Sequence, residues 1–152
     1  MNKLDQLKAM TTVVADTGDI GSIRRFQPVD ATTNPTLLLK AAQQPDCQPM
    51  LKEAIKWAGD NGRAGAGFLQ KCTEKFTIGI GKDISQIVPG RVSTEVDARL
   101  SFDTQAMIDK ARQLIDLYAE AGVSSDRILI KLASTWEGIR AAEVLEKSGI
   151  QC

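Results

Sequence analysis

DRILIKLASTWEGIRAAEVLEKSG, residues 126–149, changes character in its middle. Ile128-Leu129-Ile130-Lys131-Leu132-Ala133 is a short β-rich run, apolar except for one lysine. Ser134-Thr135-Trp136-Glu137 then matches a capping box, which predicts a helix from there to Lys147, ended by Gly149. A strand that passes straight into a helix is one βα unit. Its apolar run suits a parallel sheet buried under helices.

Working outward, the same unit recurs. The helix before it is predicted over Asp103–Ala121, where Met107, Ala111, Leu114, Ile115 and Tyr118 share one face and Gly122 stands at C′. Before that helix lies a third β run, Arg91–Val96, after the Pro89-Gly90 turn. The first run, Thr11–Asp16, ends at Thr17-Gly18-Asp19, and the second is the short Val29–Thr33. Asn34 is a good N-cap with Pro35 at the first helical position, opening a helix through Leu37, Leu38, Leu39 and Ala42 that Pro45 stops. Met50–Trp57 reads as a further helix. Residues 59–67, GDNGRAGAG, read as a helix-to-helix loop or a weakened helix start rather than a domain linker. Phe68–Val88 is predicted helical, although Gly79 and Gly81 each cost about 1 kcal/mol relative to alanine.

Four strands alternating with helices predict a parallel α/β sheet, covered on both faces or closed into a barrel. An eightfold barrel needs about 250 residues, and the 152 residues here hold four units in a single domain. Gly149-Ile150-Gln151-Cys152 reads as the approach to a fifth strand. The first and fourth strands of such a half barrel would carry unpaired backbone groups, which predicts aggregation, dimerisation or a molten state.

Composition narrows the chemistry. Nineteen Lys plus Arg balance nineteen Asp plus Glu, which argues against a nucleic-acid or anionic-membrane surface. There is no histidine, so a Ser-His-Asp triad, a Cys-His dyad and a His-ligated metal are excluded. Acid–base work falls to Asp, Glu, Lys, Tyr or Cys. Cys47, Cys72 and Cys152 have no CxxC spacing and read as unpaired thiols of a reducing compartment. No apolar run approaches the roughly 20 residues of a membrane span, and the N-terminus lacks an apolar signal core, so a soluble, cytoplasmic protein is expected.

In βα folds the chemistry sits at the C-terminal ends of the strands. Asp16 closes the first run, Thr32-Thr33-Asn34 the second and Glu95 the third, while Lys131 interrupts the fourth. A lysine between Ile130 and Leu132 loses hydration in a buried strand, which favours the neutral amine needed for carbonyl attack and Schiff-base formation. An ion-paired lysine at a strand end fits the same spacing. Asp16 also suits a turn or cap, and Glu95 a salt-bridge network with Asp97 and Arg99. On four strand ends of one sheet, a lysine, two carboxylates and an amide suit imine chemistry.

Other candidates fail. Gly79-Ile80-Gly81-Lys82-Asp83 has Phe76 in place of the first Walker glycine and Asp83 in place of Ser or Thr. Gly65-Ala66-Gly67 follows no strand, and Trp57 and Trp136 read as core or helix-packing residues.

Four segments, Thr11–Asp19, Asp30–Pro35, Pro89–Ser101 and Asp126–Trp136, closely resemble transaldolase. The likeness extends along the whole chain but corresponds to the N-terminal half of a transaldolase. It implies strands 1–4 of a (β/α)8 barrel in a cofactor-free, metal-free enzyme of the non-oxidative pentose phosphate pathway, homodimeric when complete. Such an enzyme moves a dihydroxyacetone unit from sedoheptulose 7-phosphate or fructose 6-phosphate to erythrose 4-phosphate or glyceraldehyde 3-phosphate. By the same resemblance Lys131 is the Schiff-base lysine, Glu95 relays protons through a water, and Asp16 removes the C4 hydroxyl proton. Asn34 holds hydroxyls of the three-carbon unit, with Thr32 and Ser93 as weaker neighbours. Thr36 replaces the usual serine. The phosphate-binding groups of the family's later strands lie outside these residues, so little or no activity is expected of the chain alone. A non-catalytic half barrel that dimerises, or pairs with another half, is the competing expectation.

Overall fold

A computed structural model describes residues 2–60 and 67–152. Its order is α1 (Lys3–Met10), β1 (Val14–Asp16), α2 (Ile20–Phe26), β2 (Asp30–Thr32), α3 (Pro35–Ala42), α4 (Gln48–Asp60), α5 (Phe68–Ser85), β3 (Val92–Glu95), α6 (Thr104–Glu120), β4 (Ile128–Lys131) and α7 (Trp136–Lys147). The strands form one parallel sheet in the order β1-β2-β3-β4, as in the first half of a (β/α)8 barrel. All four predicted strands are present, each shorter than its β-rich run. Most of the glycine-rich stretch at 59–67 lies outside the described residues.

Two helices escape a reading based on apolar period. Helix α1 buries nothing and is set by its ends, where Asn2 and Asp5 cap each other reciprocally. Helix α2 starts at Asp19, whose carboxylate accepts from the Ser22 amide and hydroxyl. Those bonds hold the Asp19 pKa below its usual value. The cap of α7 also differs from the reading. Thr135 rather than Ser134 accepts from the Gly138 amide, and the Thr135 hydroxyl donates to the Ser101 carbonyl, which ties the cap to the preceding loop.

The core lies between the sheet and helices α2–α7. Val92, Thr94, Ile128 and Ile130 alternate along β3 and β4 and are fully buried on the helical side. The two glycines of α5 serve this packing. A Cβ on Gly79 would stand 2.6 Å from Met50 Sδ of α4, and one on Gly81 would overlap the Tyr118 hydroxyl of α6. The propensity lost at these positions is the condition for close helix approach. Trp57 of α4 packs beneath Lys75 of α5, 5.3 Å from its ring centroid. Trp136 corrects the reading as a packing residue: at the first turn of α7 it is 71 % exposed.

The loops that return to the strands are closely specified. Gly122 and Gly149 adopt φ of +81° and +84°, and Val123 and Ile150 donate back to Tyr118 and Leu145 at 2.9 and 3.0 Å. Both turns are Schellman motifs. Arg127, just before β4, gives three hydrogen bonds to the carbonyls of Ser85, Val88 and Gly90 at 2.7–3.0 Å. One side chain thus joins the end of α5, the turn into β3 and the start of β4. The approach to a fifth strand is also present: Ile130 N–H donates to the Gln151 carbonyl at 2.8 Å. Among the described residues, the expectation of two open edges therefore holds for β1 and only in part for β4.

Candidate active site

Register decides which side chains meet. Asp16 pairs with Thr32, Thr32 with Ser93, and Glu95 with Lys131. Successive strand residues face opposite sides, so Asp16, Thr32, Ser93, Glu95 and Lys131 all share the face opposite the helices. Asp16, Thr32 and Ser93 make one layer. Glu95 and Lys131 make the next, nearer the C-terminal ends of the strands. Asn34, two residues beyond Thr32, follows at their level just after β2.

Glu95 and Lys131 are in contact. Lys131 Nζ lies 2.8 Å from Glu95 Oε2, with side chains 38 % and 25 % exposed. Lys131 also donates to the main-chain carbonyl of Thr33 at 3.2 Å. The expected stripping of water from this amine is not found. The face it occupies is incompletely covered, and an acid and a carbonyl hold the ammonium there. The suggested network of Glu95 with Asp97 and Arg99 is absent too, because those two pair with each other at the surface. That contact holds Asp97 below the ordinary carboxylate range.

Asn34 carries a structural duty. Its Oδ1 accepts from the Leu37 amide at 3.0 Å and caps α3, which ties down the oxygen side of the amide and leaves the NH2 group as the donor side. Thr32 and Ser93 line a hollow of about 220 Å³ with Val14, Asp30, Ala31, Arg91 and Leu129. Asp16 is exposed at the end of β1, across the sheet from the ion pair. Thr33 was not among the expected site residues. It is 2 % exposed, and a main-chain acceptor leaves no mark on residue type.

The sequence model of the transaldolase/fructose-6-phosphate aldolase family matches residues 13–152. The chain belongs to that family. A transaldolase of Aeromonas salmonicida is 62 % identical over 151 residues, which cover 99 % of this chain and 48 % of that protein. One from Vibrio cholerae is 57 % identical over the same span, and one from Histophilus somni 58 % over 150 residues. This family member thus spans about half the length of the curated relatives it matches. Among the described residues no helix is long and apolar enough to cross a membrane.

Proposed function

We propose that the chain carries the imine-forming half of a transaldolase site, with Lys131 as nucleophile. The Glu95–Lys131 contact at the C-terminal ends of β3 and β4 is the observation that carries this reading. The Lys131 ammonium first gives up a proton toward Glu95. The amine then attacks the C2 carbonyl of a ketose phosphate, forming a C–N bond and a carbinolamine. Glu95, through a water, returns a proton to the departing hydroxyl, and water leaves an iminium.

Asp16 takes the C4 hydroxyl proton as the C3–C4 bond breaks. The bonding electrons move into the iminium, giving an enamine of dihydroxyacetone, and the aldose phosphate departs. Asn34, Thr32 and Ser93 hold the hydroxyls of the retained unit. Attack of the enamine on an acceptor aldehyde reverses the sequence, and hydrolysis frees Lys131. The substrates are sedoheptulose 7-phosphate, fructose 6-phosphate, erythrose 4-phosphate and glyceraldehyde 3-phosphate. The setting is cytoplasmic, and the complete enzyme is a homodimer.

Incubation with fructose 6-phosphate, borohydride reduction and peptide mapping test this reading. A reduced three-carbon adduct on Lys131, missing in Lys131→Ala, is the expected result. Absence of the adduct beside a labelled full-length control refutes it for this chain. The second reading, a non-catalytic half barrel that pairs with another half, draws support from the thinly covered face where Val14 is 50 % exposed. A monodisperse dimer in analytical ultracentrifugation, without adduct, favours that reading.

A further inference from the structure

The Lys131 ammonium has two acceptors, and the proposed chemistry assigns a role to only one. The other is the main-chain carbonyl of Thr33, in the turn between β2 and α3, at 3.2 Å. That carbonyl is held in place from its own residue. The Thr33 hydroxyl donates to the Ser93 carbonyl at 3.1 Å, and the Thr33 amide donates to the same oxygen at 3.2 Å. The side chain is buried, which protects the hydroxyl bond from competition by water. One residue therefore clamps the β2–α3 turn to β3 and presents its carbonyl to the lysine of β4. Glu95 reaches the same nitrogen from β3 at 2.8 Å.

We propose that Thr33 is a positioning residue. Its hydroxyl locks the turn so that the carbonyl, together with Glu95, fixes where the Lys131 nitrogen stands. Once Glu95 has taken its proton, rotation about Cε–Nζ turns the freed electron pair away from Glu95. A third direction around the nitrogen then remains for the incoming carbonyl carbon. This role rests on the imine reading for its purpose but not for its geometry.

Two labels test it, using Thr33→Val, which keeps the branched shape, and Thr33→Ser, which keeps the hydroxyl. The first is reductive methylation with formaldehyde and cyanoborohydride, scored by peptide mass at Lys131 against surface Lys52. Loosening one acceptor frees the amine, so Thr33→Val raises this ratio about threefold, in line with the loss of one net hydrogen bond, and Thr33→Ser restores it. Equal ratios in all three proteins overturn the role, as does a rise in both variants.

The second label is the saturated rate of trapping by fructose 6-phosphate and borohydride. It falls about three- to tenfold in Thr33→Val, by the same hydrogen-bond scale, while the half-saturating sugar concentration is unchanged. It recovers in Thr33→Ser. A parent chain that gives no sugar adduct counts against the proposed function, and the methylation ratios still decide the role of Thr33.

Discussion

The Tyr118 hydroxyl lies 2.6 Å from the Thr94 hydroxyl, beneath the strand that carries Glu95. Tyr118 is fully buried, and burial pushes its pKa up to about 12 from 10.0, the Thr94 bond opposing the rise only in part. A tyrosine whose folded pKa is raised contributes stability that is complete below the unfolded pKa and is lost toward the folded one. The expected loss lies between about pH 10 and 12 and amounts to roughly 3 kcal/mol. Urea unfolding should show it in the parent chain, beyond the alkaline destabilisation shared by Tyr118→Phe. Parallel pH profiles for the two proteins would contradict the assignment.

Gly81 makes room for that hydroxyl, and Gly79 makes room for Met50. The two substitutions to alanine should diverge. Met50 ends in a flexible thioether, so Gly79→Ala is near neutral, a helix-propensity gain of about 1 kcal/mol offsetting the shift of Met50. Gly81→Ala displaces a buried ring with a hydrogen bond at its tip and costs about 3 kcal/mol. Equal unfolding midpoints would count against this account of the α5–α6 contact.

Arg127 serves three carbonyls, and Arg127→Met leaves all three without it. Hydrogen bonds from a charged donor contribute more than neutral ones, so a loss of about 3–4 kcal/mol is expected in denaturant unfolding. A loss below about 1 kcal/mol would mean that water replaces the guanidinium without cost.

At Asn34 the helix cap and the proposed ligand contact are separable. Its oxygen caps α3, and its NH2 group is the donor proposed for the sugar hydroxyls. Asn34→Asp keeps the cap, so stability is expected to hold, while sugar trapping falls because a donor has become an acceptor. Asn34→Ala loses both, with about 1 kcal/mol of stability. Trapping at the parent rate in Asn34→Asp would remove Asn34 from the substrate contacts.

Glu95→Gln should leave Lys131 in place but remove the group proposed to relay protons to it. Trapping of fructose 6-phosphate is expected to fall about 10²- to 10⁴-fold, the usual scale for a positioned acid–base group. Circular dichroism should show the fold retained. A parent-like rate would reduce the Glu95–Lys131 contact to an ion pair.

Where sequence reading succeeded, two independent signals agreed. Ile128–Lys131 combines an apolar run with a following capped helix, and β3 has the Pro89-Gly90 turn before it. Helices α1 and α2 have caps but short apolar faces, so a search for periodicity passes over them. Lys131 stood out because charge in an apolar run is costly, yet its actual hydration depends on how much of the sheet is covered. The shift of one residue at the α7 cap came from a bond to Ser101, thirty-four positions away. The Thr33 carbonyl was invisible for a simpler reason: every residue has one.

The Gln151 carbonyl gives the sheet two unlike rims. Beyond β4 a hydrogen bond is already made, whereas among the described residues no strand pairs with the outer edge of β1. Growth of a fibre by repeated head-to-tail addition needs both rims to be receptive, since each copy must receive one neighbour and offer itself to the next. With the β4 rim partly occupied, head-to-tail addition would find one receptive edge and one hindered edge, which works against open-ended growth.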